Sequence, residues 1–444
     1  MALELINYLK DPQLVASIQQ FFGVKIHYYE HYENLKESKT SQNEDNKYIS
    51  EKIDNYKKNH VFTCHSKEIN GCDANNKQFN GCRQIEYSRE KDESTKKREK
   101  ETSMVLQNPH YTITNLFWYY LFLFGTELGD EIFYCAFIPF LFWNIDGALG
   151  RRVVLVWATV MSIGQILKDI IRWPRPACPP AVRLQNKWSQ EYGMPSTHAM
   201  VGLTIPFSIV LFTMDKYIYP FSIGCTVAFI WCVLVSTSRL YLGMHTVLDI
   251  VAGLILATAL MVPLVPLVEM TNVYIITNVW LLAILIAVSI ATIVYYPCSD
   301  KWTPTRSDTA MVVSVTAGIH TGAWFSYYTG ALSTSLFSPP YNIVWPTPFT
   351  LGHLILRTML GFAGVIATKT LCKFLSYATM CAILGINWRE LMKCQDYSGN
   401  QNKVFVDLVN KYVACFMIGV NTVYFLPQTF STIGIERPTF RTEM

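Results

Sequence analysis

Apolar residues in this chain gather into long blocks from about Tyr111 onward, and polar residues are displaced into the gaps between them. Blocks of about 18 or more apolar residues are long enough to cross a bilayer as helices. The pattern predicts spans over 111–126, 131–149, 152–171, 198–214, 217–237, 249–270, 273–297, 308–330, 350–370 and 404–426. A further apolar piece at 374–387 is a span, a half-span or an interfacial helix. The first two blocks are short, so 111–149 reads equally as one span plus an interfacial piece. Ahead of them, residues 1–27 hold two short amphipathic patterns broken at Pro12, with Leu14, Val15, Ile18, Phe21 and Phe22 among their apolar positions. Residues 28–106 are dense in Lys, Glu, Asn and Ser and show no sustained apolar period. Such a segment cannot bury enough surface to offset its chain entropy, which predicts disorder.

Composition narrows this to a polytopic membrane protein. Of the 444 residues, 51% are hydrophobic and only 16% charged, too apolar for an ordinary soluble chain of this length. The fold class is all-α, a transmembrane helical bundle of about 8–10 spans. Its parts are an amphipathic segment (1–27), a polar segment (28–106), a membrane core (107–270) and additional C-terminal helices (271–444). A net charge of +4 gives no reason to expect a nucleic-acid partner. The opening residues lack the basic-then-apolar layout of a cleaved signal peptide. Most of the twelve cysteines sit in apolar runs, where a buried thiol behaves as a small hydrophobe. Cys64, His65, Cys72 and Cys82 match no standard zinc spacing, and no metal site is expected.

Lysine and arginine bias orients the spans. The basic tail 28–106 points to the cytosol, as do Arg151 and Arg152. Counting crossings then places residues 172–197 and 238–248 together on the far, lumenal side, with Glu127, Asp130 and Glu131. Cys178 and Cys298 fall there too, where an oxidising compartment permits a disulfide, though a free thiol beside Arg175 fits as well. His320, on an apolar span between Gly318 and Gly322, reads as a packed core histidine.

Three polar stretches interrupt the apolar blocks on that side. Lys168-Asp-Ile-Ile-Arg-Trp-Pro-Arg175-Pro ends one span, and Pro174 stops its helix. Pro195-Ser196-Thr197-His198 opens the next, with Ser196 at an N-cap position where free amides meet an anion. Ser238-Arg239-Leu-Tyr-Leu-Gly-Met-His245-Thr-Val-Leu-Asp249 carries an arginine suited to phosphate. His245 and Asp249, four apart, share a face if helical, so the carboxylate orients one ring nitrogen and frees the other as base or nucleophile. Lipid-headgroup contact would also account for the first stretch, and a plain helix cap for the second.

Lys-x6-Arg-Pro, Pro-Ser-x-His and Ser-Arg-x5-His-x3-Asp, in that order, resemble the signature of the type 2 phosphatidic acid phosphatase superfamily over about residues 111–270. Thr197 stands where most members have glycine. Within the superfamily, Pro-Ser-Thr-His-Ala-Met, Arg-Leu-Tyr-Leu-Gly-Met-His-Thr and Gly125-Thr-Glu-Leu-Gly-Asp-Glu131 resemble the sphingosine-1-phosphate phosphatases. The resemblance implies a six-helix phosphatase core in the endoplasmic reticulum membrane and a lipid phosphate as substrate. His245 would be the nucleophile, Asp249 would orient it and His198 would be the general acid. Lys168, Arg175, Ser196, Thr197 and Arg239 would hold the phosphate, with no cofactor or metal. Glu127 and Asp130 are candidates to pair with the ammonium of a sphingoid base. A broad lipid phosphatase, a sugar-phosphate phosphatase and a silent lipid-binding relative stand as alternatives. A transporter is disfavoured by the lack of repeated halves.

Overall fold

The computed structural model describes residues 2–27, 110–185, 187–297, 304–333, 339–343, 345–385 and 401–443. The expected disorder of 28–106 and the Cys178–Cys298 pairing fall outside the described residues. Val24–Thr114 makes one unit, in which β1 (Val24–His27) pairs antiparallel with β2 (His110–Ile113), Val24 opposite Ile113. Met1–Gly23 and Asn115–Met444 make the other, and it is helical.

That unit opens with α1 (Ala2–Leu9) and α2 (Pro12–Phe21). Asp11 ends the break between them by accepting the Gln13 amide at 2.8 Å, and Pro12 starts α2 at a position that needs no N–H. There follow α3 (Leu116–Glu127), α4 (Glu131–Asn144), α5 (Gly147–Ile171), α6 (Thr197–Thr213), α7 (Phe221–Tyr241) and α8 (Val247–Thr277). The C-terminal part holds α9 (Val279–Val294), α10 (Thr305–Tyr328), α11 (Pro348–Leu384), α12 (Gln401–Val420), a π-turn at Asn421–Phe425 and α13 (Leu426–Ile433).

Among the described residues, five helical stretches are long and apolar enough to cross a membrane: α5, α7, α8, α11 and Asn402–Ile433. Helices α4, α6 and α9 are apolar but shorter. Large apolar side chains face outward along α7 (Ile223, Val227, Phe229, Ile230) and α8 (Val262, Leu267, Met270), while Lys168, Asp169, Arg239 and Asp249 are buried. Such an inverted distribution is what a lipid solvent selects. Helix α10 is long but rich in Ser, Thr, Ala and Gly, and most of it is buried against α5, α9 and α12. Small side chains let those helices approach closely without a hydrophobic driving force.

Helix α5 spans 25 residues, about 37 Å at 1.5 Å per residue. At its start, Asp146 accepts the Ala148 and Leu149 amides and a 2.5 Å bond from Lys216. Glu443 accepts the Gly147 amide there at 2.6 Å. The other end of α5 carries Lys168. The molecule therefore has two distinct ends, one with the C-terminal tail and one with the predicted site residues.

Two span expectations are corrected. Residues 374–384 are not a separate element but continue α11, which runs unbroken for 37 residues, and 386–387 lie outside the described residues. The first block folds as a 12-residue helix, α3, about 18 Å long against a hydrocarbon core of about 30 Å. Helix α3 descends from the site end: Phe122 lies on Tyr241 at the end of α7, while Gly125 meets Leu234 two turns deeper. Gln19 of α2 is held at the same end. The N-terminal helix α2 and the predicted site residues therefore lie at one end of this helical unit.

Candidate active site

Helix α5 stops where Arg172 adopts a left-handed backbone, φ 55°, and the chain turns back over the helix end. The loop 173–196 is tied down at both ends, Gly193 N–H donating to Trp173 O at 2.6 Å and Ser196 N–H to Asp249 O at 3.1 Å. Helix α6 begins with Ser196 in the N-cap conformation, but the hydroxyl makes no cap bond. The turn from α7 to α8 needs Gly243 at φ +67°, where a Cβ would stand 2.1 Å from the Val182 carbonyl. That glycine lets the Arg239–His245 turn press against the loop carrying Arg175.

The structure brings all eight phosphate-site candidates together. Lys168 Nζ, 1% exposed, donates to Glu191 Oε2 at 2.7 Å and Thr197 Oγ1 at 3.1 Å. Arg175 is pinned by two backbone carbonyls, Nε to Glu191 O at 2.8 Å and Nη1 to Met244 O at 2.7 Å. Arg239 donates through Nη1 to Thr126 Oγ1 at 2.6 Å and Gln185 Oε1 at 3.4 Å. His198 faces Trp188 edge-on at 5.9 Å between ring centroids. His245 Nδ1 lies 3.7 Å from Asp249 Oδ2, a separation that catalytic pairs often show before substrate tightens them.

The helical pairing foreseen for His245 and Asp249 is corrected. Helix α8 begins at Val247, so His245 precedes it, and Thr246 and Asp249 form a capping box with bonds of 2.8 and 3.2 Å. Proximity comes from the turn, and Asp249 is fixed by the cap while it faces the imidazole.

Several polar atoms of this set are buried without a hydrogen-bond partner: Arg175 Nη2, Ser196 Oγ, His198 Nε2, both Nε and Nη2 of Arg239, and His245 Nδ1. Each such group costs about 1–3 kcal/mol in an interior, so a cluster of them marks a site shaped for an anion. Burial pushes the His245 imidazole well below the usual histidine value, and Arg175, Arg239, Lys168 and His198 add to that. Its ring is neutral at neutral pH, the state a nucleophile needs. Among the described residues no group of three or more His, Cys, Asp and Glu is arranged to hold a metal.

The two acids considered for a substrate amine are placed differently. Asp130 is buried, caps α4 and takes a 2.6 Å bond from Lys187, whereas Glu127 is exposed at the end of α3. Residues not foreseen also build the site. Glu191 bridges Lys168 and Arg175, and Thr126 and Gln185 hold Arg239. Gln19, fully buried, donates to Val182 O at 2.7 Å and Tyr241 O at 2.8 Å and accepts the Val182 amide at 2.9 Å. Its only signal was a polar residue on the buried face of α2, with Val15 and Ala16. Glu191 lies in a polar loop, where no spacing singles it out.

Comparison with known proteins places the sequence of these elements in a family. A model of the PAP2 superfamily covers residues 150–273. Rat sphingosine-1-phosphate phosphatase 1 is 37% identical over 325 residues, 73% of this chain and 74% of the relative. Human sphingosine-1-phosphate phosphatase 2 is 34% identical over 327 residues, 73% and 80% of the two chains. The chain belongs to the sphingosine-1-phosphate phosphatase family. Membership makes it a membrane-embedded phosphatase of the PAP2 superfamily. A more distant relative, lipid phosphate phosphatase delta of Arabidopsis thaliana, is 29% identical over 278 residues, 59% of this chain and 64% of the relative. No solved structure matches the chain. The superfamily match contains Lys168 through Asp249, but Gln19 and Thr126 lie outside it.

Proposed function

We propose that this family member removes phosphate from sphingosine 1-phosphate or a related long-chain-base phosphate through a phosphohistidine on His245. The carrying observation is the convergence of buried, unpartnered donors on a neutral histidine faced by a carboxylate. His245 attacks phosphorus, and Asp249 steadies the ring as it becomes cationic. His198 gives a proton to the departing alkoxide; a water molecule then cleaves the phosphorus–nitrogen bond, its proton returning to His198. Lys168, Arg175, Ser196 and Arg239 hold the phosphoryl oxygens and offset their growing charge, while Thr197 steadies Lys168. Fixed cations supply this stabilisation, so the scheme calls for no metal.

A sphingoid ammonium would have to displace Lys187 to reach Asp130, which leaves Glu127 as the acid for that contact. The site end is assigned to the lumen of the endoplasmic reticulum. Arg151, Arg152, Lys216, Arg437 and Arg441 belong to the other end, and such residues in short segments mark the cytosolic side. Long segments such as 28–106 weigh little in that bias.

The test is phosphate release by purified protein in detergent with a chelator present. Sphingosine 1-phosphate, ceramide 1-phosphate, phosphatidate and glucose 6-phosphate are compared, with His245→Ala as control. Release is expected from the sphingoid substrate and should fall by at least about a thousandfold in the variant. Glu127→Gln should weaken use of sphingosine 1-phosphate relative to ceramide 1-phosphate, and an unchanged ratio removes the amine contact. Equal rates on all lipids would demote the enzyme to a broad lipid phosphatase.

A further inference from the structure

The phosphate clamp already holds an anion of its own. Glu191 reaches from the loop 173–196 into the cationic set; its Oε2 lies 2.7 Å from Lys168 Nζ and 3.8 Å from Arg175 Nη2. Its side chain is only 7% exposed. Three permanent or near-permanent cations, Lys168, Arg175 and Arg239, are buried here, and such charges require counter-charge to be tolerated. Asp249 is committed to the helix cap and His245 and Asp130 to Lys187, so Glu191 is the carboxylate in direct contact with Lys168 and Arg175 among the described residues.

Neither cation has to release Glu191 in order to bind phosphate. An ammonium has three donors, and Lys168 uses two, on Glu191 and Thr197. Arg175 spends Nε and Nη1 on backbone carbonyls and keeps Nη2 without a hydrogen bond. A bound phosphate therefore shares both cations with a resident carboxylate a few ångströms away. The carboxylate aims Lys168, and by like-charge repulsion it also weakens the hold on a dianion.

We propose that Glu191 is a positioning residue that fixes Lys168 and, as a built-in counter-anion, limits how tightly the clamp retains inorganic phosphate, so that product leaves. The inference rests on the phosphate-site reading above. Without this carboxylate the site would become a product trap.

The experiment measures product inhibition by inorganic phosphate in full-length wild type, Glu191→Asp and Glu191→Gln, with sphingosine 1-phosphate as substrate. Glu191→Gln should lower the phosphate Ki by about tenfold, the effect of removing about 1.4 kcal/mol of repulsion, and should lower kcat and KM together. The shorter Glu191→Asp should fall between the other two. A purely structural role would reduce activity at unchanged Ki, and an unchanged or raised Ki in Glu191→Gln overturns the proposal. If Glu191→Gln is not recovered folded, a Ki for Glu191→Asp no lower than wild type overturns it. Phosphate-induced shifts of the thermal unfolding midpoint read the same affinity without turnover, larger shifts in Glu191→Gln supporting the proposal and equal or smaller ones opposing it. Wild type that binds phosphate in this way but hydrolyses no lipid phosphate would sink the phosphatase reading and leave the role of Glu191 standing.

Discussion

At the scale of single residues, the site couples charge to burial. His245 sits outside the helices, and burial followed by Arg175, Arg239, Lys168 and His198 holds its imidazole well below the usual value of about 6.5. The unfolded chain therefore takes up that proton first, so the contribution of His245 to stability declines as pH falls through about 6.5. Above that pH both states are neutral and the contribution is flat. The free nucleophile persists on the acid side of 6.5, so the acid limb of kcat/KM that reports His245 should be centred below it. A pH–rate profile with that limb at or above 6.5, in a protein that remains folded, would contradict the assignment. The residues proposed as nucleophile, general acid and clamp could be picked out of the sequence because they interrupt apolar blocks in a fixed order. Glu191 and Gln19 were not, because each acts through contacts between distant segments that no local spacing encodes.

Among the elements, α2 has the least expected role. It was readable as a short amphipathic helix, and Asp11-Pro12 is a clear start signal, yet nothing in that pattern names its partner. In the fold, Gln19 fastens the loop behind Arg175 to the end of α7 with three hydrogen bonds. Gln19→Ala should cost about 1–3 kcal/mol, the range for buried groups left unsatisfied, and should lower kcat more than KM because Arg239 and His245 lose their backing. Thermal unfolding and steady-state kinetics on the purified variant check both parts; unchanged kcat in a destabilised protein would confine α2 to a packing role. Helix boundaries were legible to within one residue for α6, after Ser196, and at the end of α5, whereas α5 starts five residues earlier and α7 four residues later than the apolar blocks predict. They failed at α3 and α11, because hydropathy reports how apolar a stretch is and not where its helix begins or how deep it lies.

For the whole molecule, we propose that the short α3 does not cross the bilayer. The N-terminal helices and the site share one end, and the C-terminal residues, through Glu443 and Arg437, are fixed at the other. Glycosylation-acceptor tags placed before residue 2 and after residue 444 should consequently differ: the first is modified and the second is not. Modification of both, or of the C-terminal tag alone, would reject this arrangement. The apolar blocks revealed a membrane bundle, but not the length of α3, on which the proposed sidedness rests. The C-terminal part also braces the helix that carries Lys168. Asp169, next to Lys168, accepts hydrogen bonds from Tyr296, at 3.0 Å, and from Thr305 at the start of α10. Thr309 of α10 holds Gln165 one turn earlier at 2.6 Å. The lysine's own helix is thus braced by residues beyond the superfamily match at 150–273. Anyone trimming this protein to that stretch, for crystallisation or transplantation into another scaffold, would retain the eight phosphate-site residues and lose the wall they lean on.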